Sequence, residues 1–251
     1  MEQKMKGKTA LVTGAGSGIG RSLAMAFGDK GAKVVVSDIS QKGAEETVNI
    51  ITELGVEAVY RYCDVSKTED VQALITGIVT DFGSLDYACN NAGIHNPDVE
   101  VLPDADEDMW DRIIAVNLKG VFLCIKYEVR AMLKQEAGVI INIASMSGLL
   151  AEPGSYAYVA SKHGVMGLTK TAAFEYARSG IRINAVCPVA VDTPGIAEAP
   201  QELRQKFIDS NPMRRMAKPE EIAATVMWLC SDMAGFVTGT GIVIDGGVST
   251  V

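Results

Sequence analysis

The chain has 251 residues, of which 48% are hydrophobic and 22% charged, and its formal net charge is −8. This length and balance are typical of a globular protein with one substantial core. The acidic charge argues against nucleic-acid binding, which usually needs a basic stripe, and it provides no polybasic anchor for a membrane.

The sequence also predicts the compartment and the state of the thiols. No apolar run approaches the roughly 20 residues that span a bilayer, and glycine interrupts the N-terminal segment early. We therefore expect a cytoplasmic protein without nucleic-acid or membrane partners. The five cysteines are scattered, form no CxxC pair and accompany only two histidines. We expect buried, reduced thiols and no metal site.

Short runs rich in β-branched residues recur along the chain and alternate with segments of helical periodicity. The predicted strands cover residues 9–13, 33–38, 58–65, 85–91, 138–145, 181–187 and 241–245. Strands that alternate with helices pair in parallel through right-handed crossovers, and helices then cover both faces of the sheet. The pattern predicts one α/β domain over residues 1–251, with a doubly wound, Rossmann-like sheet of about seven strands.

The first strand leads directly into the glycine-rich stretch TGAGSGIG, residues 13–20, and a helix is expected to begin near Arg21. The spacing is GxxxGxG, through Gly14, Gly18 and Gly20, and not the common GxGxxG. A GxxxxGK[ST] phosphate loop is excluded because the stretch has no lysine. Between a strand and a helix, such glycines let backbone amides approach a pyrophosphate.

Polar residues at the next strand ends extend this predicted cofactor site. Asp38 ends the second strand, where a carboxylate binds ribose hydroxyls and repels a 2′-phosphate, which favours NAD over NADP. Capping of the next helix is the alternative role, although Ser40 serves it equally well. Asp64 and Val65 are placed to hold the adenine edge. The NNAG stretch, residues 90–93, allows a ribose to lie against the backbone, although turn chemistry alone explains either stretch.

Tyr158 and Lys162 are four residues apart and lie on one helix face if this stretch is helical. Together with the preceding motifs, they resemble the short-chain dehydrogenase/reductase family, over the whole chain. The matching residues are Thr13 to Gly20, Asp64, Asn90 to Gly93, Asn117 in VNLKG, Ser145, and Tyr158 with Lys162.

The resemblance implies four catalytic roles. Tyr158 would be the general acid/base, with its pKa lowered by the Lys162 ammonium and by the positive nicotinamide of bound NAD⁺, and Lys162 would also hold the nicotinamide ribose. Ser145 would bind the substrate oxygen; Ser147 is a weaker alternative because the family's serine stands about 13 residues before its tyrosine. Asn117 would organise a water; without the other three residues, a structural asparagine in the middle of a helix would be the preferred interpretation.

The resemblance also implies a cofactor site, in which NAD is the expected cofactor. Its expected residues are Gly14, Ser17, Gly18, Ile19, Gly20, Asp38, Ile39, Asp64, Val65, Asn91, Ala92, Gly93, Tyr158, Lys162, Pro188, Val191 and Thr193. Val189 replaces a glycine that is usual in the family. Because valine disfavours positive φ, we expect the loop after the sixth strand to take a different path.

Residues 190–217 contain three prolines and mix apolar with charged residues. Because the segment follows a strand's C-terminal end, we expect a substrate lid; a peripheral helical hairpin is the alternative. The expected substrate-binding residues are His95, Ser145, Met146, Glu152, Tyr158 and Ile196. Their mostly apolar neighbours favour a neutral or weakly polar small-molecule substrate.

The leading functional hypothesis is an NAD-dependent oxidoreductase that interconverts a secondary alcohol and its ketone. A 3-oxoacyl-thioester reductase shares every motif, but Asp38 opposes NADPH and the acidic chain is poorly suited to an acidic carrier protein. A non-catalytic NAD-binding protein is disfavoured by the intact catalytic residues. The resemblance also implies a homotetramer, with the last strand at the sheet edge.

Overall fold

The computed structural model describes residues 5–96 and 101–250, and within these ranges seven parallel strands form one sheet. They are β1 Thr9–Thr13, β2 Lys33–Asp38, β3 Ala58–Tyr62, β4 Tyr87–Asn90, β5 Gly138–Ile143, β6 Ile181–Pro188 and β7 Gly241–Ile244. Their order is β3-β2-β1-β4-β5-β6-β7. The predicted Rossmann-like fold is confirmed. The predicted third strand was too long: after Tyr62 the chain leaves the ladder, and Asp64 N–H donates to Asp70.

Helices cover both faces of this sheet. They are α1 Gly18–Asp29, α2 Gln41–Glu53, α3 Thr68–Phe82, α4 Glu107–Ile113, α5 Gly120–Met132, α6 Tyr156–Tyr176, α7 Pro194–Ala197, α8 Gln201–Ser210 and α9 Pro219–Leu229. On one face α1, α2 and α9 bury a core that includes Phe27 and Ile51. On the other, α3, α5 and α6 bury a core that includes Met132 and Val165. The sheet is therefore doubly wound.

The C-terminal ends of all parallel strands meet at one edge of the sheet. Strands β1 and β4 are neighbours at its centre, so the connections before and after them run in opposite directions. A crevice opens at such a switch point. Helix α1 begins at Gly18, not near Arg21, so its N-terminus lies inside the glycine-rich stretch and next to this crevice.

The segment 190–217 contains α7 and α8 and is fastened at its base. Asp192 N–H donates to the Ala217 carbonyl at 2.8 Å, and Ala217 N–H returns a bond to Ala190 at 3.1 Å. Near its far end, the buried Asn211 side chain donates to the Asp245 carbonyl at 3.0 Å. The two ends of the segment are thus hydrogen bonded to each other, Asn211 joins its later part to the residue that follows β7, and the helices lie between the two ends.

Two further expectations concern the thiols and the membrane. The five cysteines, all within the described ranges, are free and buried, as predicted. Burial raises the pKa of Cys89 and Cys124 well above the usual thiol value, so both thiols are neutral. Over residues 5–96 and 101–250, no helix has the length and apolar character required to cross a bilayer.

Candidate active site

A cavity of about 870 Å³ lies at the C-terminal edge of the sheet. That volume is in the range of pockets that bind small molecules and cofactors. Every cofactor-binding and substrate-binding residue expected from the sequence lines it. Three of the four catalytic residues do so as well, namely Ser145, Tyr158 and Lys162. Asn117 is not among the described residues that line the cavity.

The glycine loop packs directly against the stretch that follows β4. Gly14 has a φ of +64°, and a Cβ there would lie 2.8 Å from the Ala92 Cα. The Asn91 side chain donates to the carbonyls of Thr13 and Gly14, each at 3.0 Å. A side chain at position 14 would therefore be strained and would separate the two loops.

Asp38 holds the glycine loop through its carboxylate. Oδ2 accepts a hydrogen bond from Gly16 N–H and Oδ1 accepts one from Ser40 N–H, both at 2.8 Å. Ser40 is itself the N-cap of α2 and accepts from Gly43 N–H at 3.4 Å. Asp38 thus does more than organise the start of α2: it links β2 to the loop at the rim of the cavity.

Arg21 is a second residue that fastens this loop. Its guanidinium donates to the Gly16 carbonyl at 2.6 Å, to Thr47 at 3.0 Å and to Glu46 at 3.0 Å. From the sequence, Arg21 was expected only to mark the start of the first helix. Its position directly after the last loop glycine was the available indication, but the partners on α2 are fixed only by the tertiary fold.

Asp64 and Val65 line the cavity just beyond β3. The Asp64 carboxylate accepts hydrogen bonds from the N–H and hydroxyl of Ser66, at 3.0 and 2.7 Å. Burial acts to raise the pKa of Asp64, but the Ser66 hydrogen bonds outweigh it and hold that pKa below its usual value. The carboxylate is therefore fixed and ionised.

The opposite wall carries Ser145, Tyr158 and Lys162. Lys162 Nζ donates to the Ile143 carbonyl at 2.8 Å and lies 5.5 Å from the centre of the Tyr158 ring. Ser145 N-caps the short 3₁₀ turn Met146–Gly148 and accepts from Ser147 N–H at 3.1 Å. Burial lowers the pKa of Lys162 to about 8. Tyr158 and Lys162 thus share one face of α6, as predicted.

The expected lowering of the Tyr158 pKa is not found in the protein's own electrostatics. Desolvation raises the pKa of this partly buried phenol to about 12, and a side-chain hydrogen bond with Ser145 only partly offsets it. The Glu152 charge raises that pKa further. Lys162 donates its hydrogen bond to the Ile143 carbonyl, so its ammonium does not offset the effect of desolvation on the pKa of the Tyr158 phenol. The tyrosine side chain therefore holds its proton.

Asn117 lies in the π-helical turn Ile114–Lys119 between α4 and α5 and is fully buried. Its side-chain oxygen accepts from Ile94 N–H and its side-chain nitrogen donates to the Ile94 carbonyl, both at 2.8 Å. The asparagine therefore anchors the loop after β4 from behind the cavity wall. Its backbone geometry, a π turn, often marks functional sites.

A polar chain of side chains runs along the substrate end of the cavity. Ser145 Oγ donates to Ser147 Oγ at 3.1 Å, and Ser147 Oγ donates a short hydrogen bond to Glu152 Oε2. Glu152 Oε1 lies 3.8 Å from His95 Nε2, and the His95 ring lies 4.3 Å from the Tyr158 ring, centre to centre. A side-chain hydrogen bond joins Ser145 to Tyr158, whereas Ser147 is engaged by Glu152.

Val189 is accommodated without strain. In the described residues, the non-glycine positions with positive φ are Glu136 and Arg214, so Val189 keeps an ordinary backbone conformation. Its N–H donates to the Ile244 carbonyl at 3.3 Å, which extends the pairing of β6 with β7. Thr193 still reaches the glycine loop: a Cβ at Gly18 would lie 3.2 Å from its methyl group.

The fold and this site define a dinucleotide-binding oxidoreductase, and the chain is similar to several known ones. A family model described as Enoyl-(Acyl carrier protein) reductase matches residues 14–249. A short chain dehydrogenase/reductase of Aspergillus oryzae is 43% identical, over 100% of this chain and 98% of the relative. A cyclohexanol dehydrogenase of Acinetobacter sp. is 44% identical, over 98% and 96%.

Two further similarities complete the comparison. A 3-oxoacyl-(acyl-carrier-protein) reductase of Staphylococcus epidermidis is 41% identical, over 96% of this chain and 98% of the relative. The crystal structure of levodione reductase has a TM-score of 0.94 at 36% identity, over 98% of this chain and 99% of the other. The chain belongs to the short-chain dehydrogenase/reductase family. It is an oxidoreductase of the kind that binds NAD or NADP.

Proposed function

We propose that the protein is an NAD-dependent oxidoreductase that interconverts a secondary alcohol and its ketone. The observation that carries this proposal is that Ser145, Tyr158 and Lys162 line the same cavity as the glycine loop and Asp38. Proton chemistry and dinucleotide binding therefore share one space. The similarity to a cyclohexanol dehydrogenase supports an alcohol of this kind.

The residues at the sheet edge fit a dinucleotide. Gly14, Gly18 and Gly20 line the cavity without side chains, so a pyrophosphate could approach their backbone closely. The N-terminus of α1 begins inside the loop and offers amides and a favourable dipole to an anion. Asp38 and Asp64 stand at the adenosine end, and Lys162 stands at the end that would receive the nicotinamide ribose.

The preference for NAD rests on charge at the adenosine end. The Asp38 carboxylate lines the cavity and would repel a 2′-phosphate. Among the described residues of the cavity wall, the basic ones are His95, Arg112 and Lys162, and none is on β1, β2 or the glycine loop. Arg21, which directly follows the glycine loop, is already paired with Glu46 at 3.0 Å.

The protein's residues would manage the proton while a bound dinucleotide supplies the hydride acceptor or donor. In alcohol oxidation, Tyr158 Oη first releases its own proton to solvent, and the phenolate then takes the proton of the substrate hydroxyl; in ketone reduction, the protonated phenol gives its proton to the substrate oxygen. Ser145 donates to the same oxygen and stabilises its developing charge. Lys162, held by the Ile143 carbonyl, orients the ribose.

The segment 190–217 is proposed to act as the substrate lid. Ile196 on α7 and Phe207 on α8 line the cavity, whereas the two ends of the segment are hydrogen bonded to each other and Asn211 is bonded to the Asp245 carbonyl. Such an arrangement lets the helices move while their attachment is kept. The apolar side chains would exclude water from the carbon that transfers hydride.

A 3-oxoacyl-thioester reductase is the second candidate function. It is favoured by the similarity to the Staphylococcus epidermidis enzyme and by the matching family model. Initial rates with NAD⁺ and a panel of secondary alcohols, beside rates with NADPH and a 3-oxoacyl thioester, separate the two. We expect turnover of at least one alcohol with NAD⁺. Turnover of the thioester alone, with NADPH, would establish the second candidate.

The homotetramer also stays a prediction. Apolar side chains near the edge strand β7 are strongly exposed, among them Met233 at 82% and Phe236, which is fully exposed. Light scattering coupled to size-exclusion chromatography gives the number of chains directly. We expect four, and a monomer at micromolar concentration would contradict the prediction.

A further inference from the structure

His95 and Glu152 form an incomplete pair at the substrate end of the cavity. The distance of 3.8 Å between Nε2 and Oε1 is within ion-pair range but too long for a good hydrogen bond. The other atoms of both side chains are engaged: His95 Nδ1 contacts the Asn96 carbonyl at 2.9 Å, and Glu152 Oε2 accepts from Ser147. His95 Nε2 and Glu152 Oε1 therefore face each other at 3.8 Å without a close hydrogen bond between them.

The charge and exposure of the pair suit it to a polar ligand. The two side chains are 47% and 41% exposed, and both line the cavity. The Glu152 carboxylate raises the pKa of His95, and the same pairing lowers the pKa of Glu152, so each favours the charged form of the other. A purely hydrocarbon substrate that covered them would remove their water without replacing it, which costs free energy.

The site is close to the reacting oxygen. The His95 ring is tilted by 52° against the Tyr158 ring at a centre-to-centre distance of 4.3 Å. Any substrate that places its carbinol at Tyr158 and Ser145 must extend past this pair or past the apolar side of the cavity. That apolar side consists of Met146, Leu150, Ile196 and Phe207.

Resting on the function proposed above, we infer that His95 and Glu152 bind a second oxygen of the substrate. A hydroxyl oxygen that lies beside the two atoms, at hydrogen-bond distance from each, would accept from His95 Nε2–H and donate to Glu152 Oε1, which gives both atoms a close hydrogen-bond partner. The substrate class is then a secondary alcohol that carries a further hydroxyl on a small carbon ring or chain, or the corresponding hydroxyketone. His95 and Glu152 are specificity-determining residues.

The test compares cyclohexanol with the isomers of cyclohexane-1,2-diol and cyclohexane-1,4-diol, each with NAD⁺. The readout is the ratio of kcat/KM for the best diol to that for cyclohexanol. We expect a ratio above one in the wild type and a fall of roughly ten- to hundredfold in Glu152→Gln and in His95→Leu. His163→Asn, which changes an exposed histidine outside the cavity wall, is the matched control and should keep the ratio.

A binding measurement makes the inference independent of turnover. The chain has two histidines, so the imidazole resonances of His95 are assigned by comparison with His163→Asn. In the complex with NADH, the preferred diol should shift the His95 Nε2 resonance and cyclohexanol should not. Suppose that cyclohexanol is oxidised, but Glu152→Gln changes neither the ratio of kcat/KM for the diol to that for cyclohexanol nor the shift of the His95 Nε2 resonance. The inference is then wrong and the proposed function stands. If no alcohol is oxidised and no diol shifts the His95 resonance, both the proposed function and the inference fail.

Discussion

The Asp38 carboxylate accepts a 2.8 Å hydrogen bond from Gly16 N–H, so the residue that would select the cofactor also holds the loop that would bind it. The effect of the Asp38 charge can therefore be separated from the effect of its hydrogen bonds by two different substitutions. Asp38→Asn keeps an oxygen that accepts from one of the two amides, whereas Asp38→Ala keeps none. The two variants distinguish repulsion of a 2′-phosphate from support of the loop.

We expect Asp38→Asn to lower the preference for NAD⁺ over NADP⁺ by about tenfold or more, because a negative charge beside the 2′ position is gone. Asp38→Ala should in addition weaken the binding of both cofactors, since the loop loses two hydrogen bonds. Fluorescence titration with each cofactor gives the dissociation constants. An unchanged preference in both variants would show that Asp38 is only structural.

Arg21 provides a related prediction about the loop. Its guanidinium bridges the Gly16 carbonyl to Glu46 and Thr47 on α2, and lysine cannot make this set of contacts at once. We expect Arg21→Lys to weaken NAD⁺ binding about tenfold, with the catalytic rate at saturating NAD⁺ nearly unchanged. Arg178→Lys, in the turn that follows α6, is the control. A loss of rate without a loss of affinity would contradict this role.

Tyr158→Phe should lower the rate of alcohol oxidation by roughly 10²- to 10⁴-fold, because the proton acceptor is lost while the ring remains. Binding of NADH, measured by fluorescence, should persist. Tyr156→Phe is a closely matched control. The Tyr156 hydroxyl accepts from Leu102 N–H at 3.1 Å, so that variant loses a structural contact and keeps its activity. Similar rates for Tyr158→Phe and wild type would exclude the proposed proton transfer.

The raised pKa of Tyr158, about 12, predicts opposite pH dependences for the two directions. Alcohol oxidation needs the ionised phenol, so its kcat/KM should rise with pH through the alkaline range. Ketone reduction needs the protonated phenol and should not rise. Rates in both directions across pH 6 to roughly 10, with stability checked at each pH, provide the test. A fall in oxidation with increasing pH would contradict it.

Glu128 on α5 predicts a pH-dependent stability that is unrelated to catalysis. It is fully buried, accepts one hydrogen bond from Asn90 at 3.0 Å, and burial raises its pKa from 4.5 to about 8. The pKa of Glu128 is higher in the folded protein than in the unfolded chain, so the folded state is most stable when Glu128 is protonated. The contribution of this group to stability is therefore complete below about pH 4.5. The contribution declines as the pH rises and is lost above about 8.

Urea unfolding of Glu128→Gln and wild type at a series of pH values measures this contribution. Glutamine cannot ionise, so the free energy of unfolding of the variant relative to wild type should increase by a few kcal/mol between about pH 5 and 8. Glu53→Gln, an exposed residue at the end of α2, should show no such trend. A constant difference between Glu128→Gln and wild type over this range would mean that the folded pKa is not raised.

The fold could be predicted well from the sequence because the residues that end each strand are next to it in the chain. Each strand is a short apolar run, and the polar or glycine residue after it marks where the chain turns. For example, Asp38 ends β2 as predicted, and β4 ends at Asn90, one residue before its predicted end. The cofactor and substrate residues came from the same strand ends, and parallel strands necessarily bring them to one edge.

The electrostatics of the site could not be predicted in this way. The spacing of Tyr158 and Lys162 indicated that they share a face, but not that Lys162 donates to Ile143 or that desolvation dominates the phenol. Likewise, nothing in the spacing of His95 and Glu152, which are 57 residues apart, indicated that they meet. Such contacts depend on packing between elements that are distant in the chain.

The most direct test of the central claim is the initial rate of cyclohexanol or cyclohexanediol oxidation with NAD⁺ and, separately, with NADP⁺, for wild type and Tyr158→Phe. The account predicts that wild type reduces NAD⁺ at least about tenfold more efficiently than NADP⁺ and that Tyr158→Phe has almost no activity with either. A wild-type enzyme that prefers NADP⁺, or a Tyr158→Phe variant that retains full activity, would contradict it.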